Sequence, residues 1–440
     1  MSNAKGVIIA APASGSGKTV ITLGLLRCLR RRGLAVASAK VGPDYIDPAF
    51  HTAASGRACF NLDGWAMRRE TLDGLVAELG HAADLVICEG VMGLFDGIDA
   101  AAKGSTAELA ERLGWPIVLV MDVRGQAASA AAVLAGCVRH RQGTRVAGVV
   151  FNRVGGASHR SVLAEACRRA MPAVAQLGFL GRDHRLELPE RHLGLVQAAE
   201  RANLEGFIDG AADAIGAALD TDAMIALAEP LRAGGAGMPT PIAPIGQRIA
   251  IADDIGFAFS YKAILDGWRN AGAEILPFSP LADEPPSSAA DAVYLPGGYP
   301  ELYAARLAGN AGFLQGLRRA AARGAAVYGE CGGYMVLGEG LVDGAGERHG
   351  MAGLLPLEAS FAERRLHLGY RQVLLLADSA LGPAGSCFRS HEFHYATVLK
   401  EGAAERLFEV EDARGNALGP AGTRIGRVAG SFIHLIDRAR

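Results

Sequence analysis

The stretch Ser14–Thr19, which reads SGSGKT, has the residue types and spacing of a loop that binds phosphate groups. Its two glycines let the backbone approach a phosphate closely, and the loop joins a predicted strand to a predicted helix. Lys18 could reach the β- and γ-phosphates of a nucleotide, and the Thr19 hydroxyl could ligate Mg²⁺. Pro12 replaces the first glycine of the usual pattern at the loop entrance, where a rigid bend is acceptable. The predicted nucleotide-binding residues are Ser14, Gly15, Ser16, Gly17, Lys18 and Thr19.

Several charged residues are predicted at the same edge of the sheet as this loop. Glu89 lies at the end of the predicted strand DLVICEG and is the leading candidate for a Mg²⁺ ligand, with Asp96 behind it. The segment AKVGPDYIDPAFH begins at the end of another predicted strand and adds Lys40, Asp44 and Asp47. Because the carboxyl ends of parallel strands meet at one edge, we expect these residues to bind metal, nucleotide or substrate.

Asn152, in VVFNRVG, follows a further predicted strand. Its amide could read the edge of an adenine base. An Asx turn, in which the side chain bonds to its own backbone, is an open alternative.

The stretch AAVYGECGGYM turns sharply from a predicted strand into a predicted helix at Cys331. This is the pattern of a nucleophile elbow, with cysteine in the place of serine. We expect the helix N-terminus to lower the pKa of the thiol. The backbone N–H of Gly332 would form one half of an oxyanion hole, and that of Gly298, in YLPGGYPE, could form the other.

A thiol nucleophile also needs a base. His434, in VAGSFIHLID, is predicted at the carboxyl end of the last strand and is the favoured partner of Cys331. His391 and His394, in RSHEFHYAT, remain alternatives.

The elements that must position these residues are short apolar strands alternating with helices, which predicts parallel α/β sheets. The Gly/Pro-rich stretch EPLRAGGAGMPTPIAPIGQ interrupts this pattern once. We therefore expect a synthetase-type domain over 1–230, a linker over 231–247 and a second α/β domain over 248–440.

The composition excludes several classes of protein. The 440 residues carry a net charge of −2, which gives no basic field for nucleic acid or for an anionic membrane. Seven scattered cysteines without a C-x-x-C spacing suggest neither a disulfide framework nor a zinc site. The first residues lack the layout of a signal peptide, so a cytoplasmic enzyme is the expectation.

The two halves together resemble a known family. The second half is similar to class I glutamine amidotransferases, and the first to the ATP-binding fold of dethiobiotin synthetase. Their combination resembles the cobyrinic and hydrogenobyrinic acid a,c-diamide synthases, glutamine-dependent ligases of cobalamin synthesis. The resemblance covers the whole chain and is most specific in APASGSGKT, KVGPDYIDPAFH, CEGVMGLFDG, LPERHLGLVQA, LPGGYPE, ECGGYM and HEFHYA.

The resemblance implies roles for residues at matching positions. Cys331 would attack glutamine, and His434 would raise its nucleophilicity. The implied Mg²⁺ ligands are Thr19, Asp47 and Glu89, while Asp44 and Asp96 would lie near the reacting carboxylate. Most amidotransferases of this class carry a glutamate two residues after the histidine. Ile436 stands there instead, as in the cobalamin branch, which leaves the orientation of His434 open.

The implied reaction uses ATP to turn a carboxylate into an acyl phosphate, which ammonia from glutamine then attacks. The substrate would be hydrogenobyrinic or cobyrinic acid, amidated at its a and c side chains. Such a polyanion needs cations, and the segment GRDHRLELPERHLGL supplies them. The predicted substrate-binding residues are Arg182, Arg185, Arg191 and His192.

Other functions remain open at this stage. The alternatives are cobyric acid synthase, nickel-sirohydrochlorin a,c-diamide synthase, and a ParA-like ATPase switch with an inactive amidotransferase appendage. The sequence also leaves open whether the ring carries cobalt, the order of amidation, and the oligomeric state, with a homodimer as one option.

Overall fold

The computed structural model describes residues 4–188, 190–191, 194–195, 197–201, 203–232 and 237–439. It divides into two compact units. The first consists of Met1–Trp65 and Leu72–Gly237, and the second of Ala66–Thr71 and Met238–Arg440. In the part of the chain that the structure describes, no helix is both long enough and apolar enough to cross a membrane.

The first unit is built on a sheet of parallel strands, as the alternating apolar runs predict. Its strands, in spatial order, are Cys59–Leu62, Val36–Val41, Leu85–Glu89, Lys5–Ala10, Ile117–Asp122, Val146–Val154 and Ala175–Gly181. The short strand Glu229–Pro230 pairs antiparallel with Lys5–Ala10. The central strands are buried on both faces, which is why they read as continuous apolar runs.

Two strands of this unit differ from the sequence prediction. Cys59–Leu62, at one edge of the sheet, was not predicted, because its four residues CFNL form no extended apolar run. The apolar run LGLVQ also predicts a strand of this α/β pattern. Instead, Gly194–Leu195 pairs with Glu190–Arg191 in a separate two-stranded ribbon.

The helices of the first half follow their sheet strands along the chain. They span Lys18–Arg31, Asp47–Ser55, Arg69–Gly80, Thr106–Leu113, Ser129–Arg139, Ala157–Ala170, Leu204–Ala218 and Thr221–Leu227. The first begins directly at the predicted phosphate loop and buries Ile21, Leu25 and Leu29 along one face. Apolar residues four positions apart lie on the same side of a helix, so this face packs inward while the last turn stays basic.

The second unit contains a ten-stranded mixed sheet. In spatial order its strands are Glu274–Phe278, Arg248–Ala252, Ala292–Leu295, Ala326–Glu330, Val428–Ser431, Ala417–Ile425, Glu405–Asp412, His367–Leu375, Cys387–His394 and Ile433–Arg438. The first five run parallel and the rest pair antiparallel. The segment predicted as one final strand is therefore two, separated at Phe432.

The remaining elements of this unit surround the parallel part of the sheet or form a small second sheet. The small sheet contains Arg348–Gly350, Gly340–Val342, Leu357–Ser360 and Thr397–Glu401. The helices are Lys262–Asn270, Ala304–Gly309, Ala311–Ala322 and Gly332–Leu337. Apolar residues of the last three of these helices form a buried core with Val293, Leu295 and Val327 of the central strands.

Candidate functional sites

The predicted phosphate loop forms a strand–loop–helix junction in the first unit. It leaves the strand Lys5–Ala10, and the helix that follows begins at Lys18. Gly15 and Gly17 have φ values of 74° and 91°, in the left-handed region that favours glycine. The Ser16 hydroxyl donates to the Ala13 carbonyl oxygen at 2.8 Å, whereas Ser14 is exposed. The loop is therefore shaped by its own backbone and opens toward solvent at Ser14.

The carboxylate of Glu89 is the centre of a buried polar cluster beside this loop. Its Oε1 accepts hydrogen bonds from the Thr19 hydroxyl at 2.6 Å and from Lys40 Nζ at 2.9 Å. Its Oε2 lies 2.7 Å from Nε2 of His51. Lys40 also donates to Asp47, so one ammonium group joins two carboxylates. Sequence reasoning missed His51, which stands at the end of the quoted motif DPAFH.

Attraction between opposite charges opposes the effect of burial on the pKa values in this cluster. Burial would raise the pKa of Glu89, but Lys40 and His51 hold it below its ordinary value. Burial would likewise lower the pKa of Lys40, yet Asp47 and Glu89 raise it well above the ordinary value. Burial and the neighbouring charge of Asp44 raise the pKa of Asp47 to about 7. The ammonium of Lys40 is thus held between the carboxylates of Glu89 and Asp47 at the end of the phosphate loop.

The cluster offers the kind of ligands that Mg²⁺ prefers. Thr19, Glu89 and Asp47 present hydroxyl or carboxylate oxygens, and hard cations bind oxygen. Glu89 and Asp47 both accept from the single ammonium of Lys40, and Thr19 donates to Glu89, so the donor set fits a small divalent ion. Lys18 is buried beside them and donates to the Met92 carbonyl oxygen at 2.7 Å. Burial lowers the pKa of Lys18 to about 8, and the charge of Glu89 opposes that shift.

The two other predicted carboxylates order backbone around the cluster. Oδ1 of Asp44 accepts hydrogen bonds from the backbone N–H groups of Ile46 and Asp47 at 2.8 and 3.0 Å. Oδ2 of Asp96 accepts from the N–H of Gly93 at 2.9 Å. Asp44 is half-buried and Asp96 is exposed, so both have surface that can face a bound molecule.

Asn152 contacts the protein with both ends of its amide. Its Nδ2 donates to the Ser16 carbonyl oxygen at 2.9 Å, and its Oδ1 accepts from the backbone N–H of Arg153. A Cβ atom on Gly17 would lie only 2.3 Å from Nδ2 of Asn152, so the loop needs glycine there. Both contacts lie within the protein, and the role of this amide as a nucleotide ligand stays a prediction. Arg153, which the sequence did not single out, also donates to the Gly15 carbonyl oxygen at 2.7 Å.

Of the predicted substrate cations, the structure describes the side chains of Arg182 and Arg185. Arg182 lines a cavity of about 260 Å³ together with Gly17, Asn152 and Arg153, next to the phosphate loop. Arg185 is exposed and forms an ion pair with Asp183 at 2.7 Å. Arg191 lies on the short ribbon and its side chain is not described, and His192 falls outside the described residues.

Cys331 lies on a sharp turn in the second unit. It follows the strand Ala326–Glu330, precedes the helix Gly332–Leu337, and has φ 48° and ψ −104°. A positive φ in a residue other than glycine is strained, and such strain often marks a functional turn. The backbone N–H of Cys331 donates to the Ser431 carbonyl oxygen at 2.8 Å, which fixes the turn against the neighbouring strand. The geometry is that of the predicted nucleophile elbow.

The two glycines predicted for an oxyanion hole lie beside each other. A Cβ atom on Gly332 would be 3.0 Å from the backbone nitrogen of Gly298. A Cβ atom on Gly298 would be 2.0 Å from the carbonyl oxygen of Gly256, so that position excludes any side chain. Two neighbouring N–H groups at a buried thiol are the donors that an oxyanion requires.

His434 lies next to Cys331. A Cβ atom on Gly297 would be 3.3 Å from Cβ of Cys331 and 3.3 Å from Nε2 of His434, so both side chains border this glycine. His434 is fully buried. It is the second residue of the strand Ile433–Arg438, which corrects its expected place at the carboxyl end of a strand. The break at Phe432 turns the chain so that the imidazole still reaches the elbow.

Burial reverses the expected effect of the helix on the thiol. The hydrogen bond from the Gly332 N–H lowers the pKa of Cys331, as predicted, but burial and the charge of Glu301 outweigh it and raise that pKa. Burial, with the neighbouring His391 and His394, also lowers the pKa of His434 to about 3. The thiol and the imidazole are therefore both neutral here, and a thiolate forms only if the thiol proton is transferred.

The other candidate bases have different environments. Both ring nitrogens of His394 are engaged, with the Ala396 carbonyl oxygen and with Glu392, each at 3.1 Å. Burial and the charge of Arg371 lower the pKa of His391 to about 3. His391 pairs with His434 across adjacent strands. The contact with Gly297 and Cys331 favours His434 as the base.

Both halves of the chain match known families. The model of the CobB/CobQ-like glutamine amidotransferase domain matches residues 248–440. The model of the CobQ/CobB/MinD/ParA nucleotide binding domain matches residues 7–196. Fold and sites thus define a protein that joins a nucleotide-binding domain to a glutamine amidotransferase domain.

Full-length relatives narrow this class. Hydrogenobyrinate a,c-diamide synthase of Rhizobium meliloti (strain 1021) is 54% identical over 98% of this chain and 99% of its own length. The enzyme of the same name from a Sinorhizobium species is also 54% identical, over 99% of this chain and 99% of its own length. The one from Brucella abortus biovar 1 (strain 9-941) is 54% identical over 98% of this chain and 98% of its own length. The chain belongs to the family of hydrogenobyrinate a,c-diamide synthases.

Proposed function

We propose that this protein uses ATP and glutamine to amidate the a and c side-chain carboxylates of hydrogenobyrinate. The observation that carries the proposal is the elbow at Cys331, with His434 and two glycine N–H groups beside it, in a chain that also holds a phosphate loop. Full-length similarity to enzymes named for this substrate supports the choice of acid.

The first unit would activate the carboxylate. Backbone N–H groups of the phosphate loop and the Lys18 ammonium would hold the phosphates of ATP. Thr19, Glu89 and Asp47 would hold Mg²⁺, which offsets charge on the transferring phosphoryl group when bound. The substrate carboxylate attacks the γ-phosphorus, ADP leaves, and an acyl phosphate forms. Asp44 and Asp96, which order the backbone around the cluster, would lie near this carboxylate.

The second unit would release ammonia. The Cys331 sulfur attacks the side-chain amide carbon of glutamine while His434 takes the thiol proton. The N–H groups of Gly298 and Gly332 would stabilise the oxyanion of the tetrahedral intermediate. The C–N bond then breaks, the proton passes from His434 to the leaving nitrogen, and a thioester remains. Water hydrolyses the thioester to glutamate, and the ammonia displaces phosphate from the acyl phosphate.

Arg182 is the best supported of the predicted substrate cations. It lines the cavity beside Gly17 and Asn152, within reach of a molecule bound at the loop. We propose that it contacts an anionic group of the substrate or nucleotide. Arg185, Arg191 and His192 remain predictions from the sequence.

An amidation assay with two nitrogen sources tests the proposal. Cys331→Ala should lose glutamine-dependent amidation and keep amidation with free ammonia, because only the nitrogen source changes. Lys18→Ala should lose both, because the acyl phosphate no longer forms. Hydrogenobyrinate should be amidated at two positions and cobyrinate should serve as the comparison acid. Nucleotide hydrolysis that proceeds without any tetrapyrrole, with Cys331 dispensable, would instead support a ParA-like switch.

A further inference from the structure

Glu330 is a buried carboxylate directly before Cys331, at the end of the strand that leads into the elbow. It is only 3% exposed, and sequence analysis assigned it no role. A carboxylate is costly to bury, so its presence next to the thiol calls for a set of partners. Those partners are on two strands of the second unit, Ala292–Leu295 and Ile433–Arg438.

The imidazole of His434 stands between the thiol and this carboxylate. Its Cε1 and Nε2 lie 2.4 and 3.3 Å from a Cβ atom placed on Gly297, a position that also borders Cys331. Its Nδ1 lies 3.8 Å from Oε2 of Glu330. The ring therefore borders both the Gly297 position beside Cys331 and the carboxylate of Glu330.

Two hydrogen bonds hold the carboxylate in place. The Tyr294 hydroxyl donates to Oε2 at 2.8 Å, and the backbone N–H of Leu435 donates to Oε1 at 3.1 Å. Leu435 follows His434 directly, so Glu330 also fixes the backbone of the strand that carries the imidazole. Both oxygens accept these hydrogen bonds, as an ionised carboxylate does.

Other carboxylates nearby are committed elsewhere. Asp437 accepts two hydrogen bonds from the Arg68 guanidinium and one from the Arg68 N–H, so it faces away from His434, as strand alternation predicts. Glu392 accepts from Arg371 at 2.8 Å and lies 3.1 Å from His394. Ile436 occupies the position two residues after the histidine and offers no charge.

We propose that Glu330 is the positioning residue of His434. It takes the role of the glutamate that most amidotransferases of this class carry at the position of Ile436. The inference rests on the proposed function, because it presumes that His434 acts on Cys331. Glu330 would fix Nδ1 as the protonated nitrogen, which leaves the lone pair on Nε2 to accept the thiol proton. When that proton arrives, the carboxylate stabilises the imidazolium until the leaving nitrogen takes the proton.

The electrostatic surroundings agree with this role. Among the residues that the structure describes, the titratable groups that face His434 are Cys331, Glu330, His391, His394 and Glu392. Burial is the largest cause of the low pKa of His434. Burial raises the pKa of Glu330 to about 7, against hydrogen bonds from Leu435 and Tyr294. The carboxylate therefore becomes ionised, and able to stabilise the imidazolium, as the pH rises through about 7.

Glu330→Gln tests the inference, because it keeps the size and the acceptor oxygen but removes the charge. Glutamine-dependent amidation should fall about 10²-fold in kcat with a small change in KM, while ammonia-dependent amidation stays within about twofold of wild type. Alkylation of Cys331 by a diazoketone analogue of glutamine should slow by a similar factor. Its rise with pH near about 7 should be absent in the variant. Glu330→Asp, which keeps the charge, should restore part of the rate.

Asp437→Asn is the matched control, since it neutralises an equally buried carboxylate close to His434 in sequence. It should leave the glutamine-dependent rate and its pH profile near those of wild type. If Cys331→Ala and His434→Ala lose glutamine use but Glu330→Gln keeps the wild-type rate and pH profile, the positioning role is refuted alone. If Cys331→Ala keeps glutamine use, the proposed function itself fails. Loss of ammonia-dependent amidation in Glu330→Gln would show a merely structural role and also refute the inference.

Discussion

The Thr19 hydroxyl lies 2.6 Å from Oε1 of Glu89, which joins the first turn of the helix after the phosphate loop to the end of a central strand. Thr19→Ala should weaken use of ATP, because it removes an oxygen ligand and leaves Glu89 with one donor fewer. We expect kcat/KM for ATP in ammonia-dependent amidation to fall roughly 10- to 100-fold. Thr19→Ser keeps the hydroxyl and should retain most of the activity. Equal losses in both variants would contradict a role for the hydroxyl.

Lys40→Met should destabilise the first unit. The ammonium joins Glu89 to Asp47, and its removal leaves two buried carboxylates facing each other. Breaking a buried ion pair on one side costs about 3–5 kcal/mol, so the urea midpoint of the first unit should fall clearly. Lys103→Met, at an exposed lysine of the same unit, is the control and should change the midpoint little. A midpoint equal to that of wild type would show that Lys40 is not needed to offset the charges.

Gly298→Ala should impair the release of ammonia. The added Cβ would lie 2.0 Å from the Gly256 carbonyl oxygen, so the backbone N–H must move out of the oxyanion position. Loss of one oxyanion donor costs about 10²- to 10³-fold in kcat, which glutaminase measurements would show. Ammonia-dependent amidation should survive. Gly309→Ala is the matched control, because no atom lies within 4 Å of its Cβ position.

Glu392→Gln should lower stability at neutral pH but not in acid. Burial would raise the pKa of Glu392, but the hydrogen bond with His394 and the charges of His394 and Arg371 lower it to about 2. Because the pKa of Glu392 in the native state lies below the ordinary value of 4.5, the ionised carboxylate adds stability above pH 4.5. This added stability is lost as the pH falls toward 2. We expect a loss of about 2–3 kcal/mol at neutral pH that shrinks on acidification. Urea midpoints measured across this range, with exposed Glu363→Gln as the control, check the sign.

The sequence predicted those parts of the sites that depend on local backbone geometry. Glycines at fixed offsets between a strand and a helix identify the phosphate loop around Lys18 and the elbow at Cys331, because few other residues allow such turns. The apolar runs likewise predicted most strands of the parallel sheets. Cys59–Leu62 escaped this reasoning because a four-residue strand leaves no periodic signal.

Long-range contacts and burial could not be predicted in the same way. Arg153 reaches Gly15 and Glu330 approaches His434 across more than a hundred residues of chain, and no local pattern records those contacts. Burial also decides the pKa of Cys331 against the helix N-terminus, and the depth of a residue follows only from the packed structure. For the same reason the contact of the Asn152 amide with Ser16 could not be predicted, and its role toward a nucleotide stays a prediction.

The short segment Ala66–Thr71 belongs to the second unit although the residues on both sides of it belong to the first. Within that unit Arg68 supplies the guanidinium that neutralises the buried Asp437. A fragment that starts at Met238 would therefore lack an internal counter-ion and should express poorly unless Asp437 is replaced as well. Dissecting the protein by truncation is consequently a less faithful way to assign its two half-reactions than inactivating each one by point substitution in the intact polypeptide.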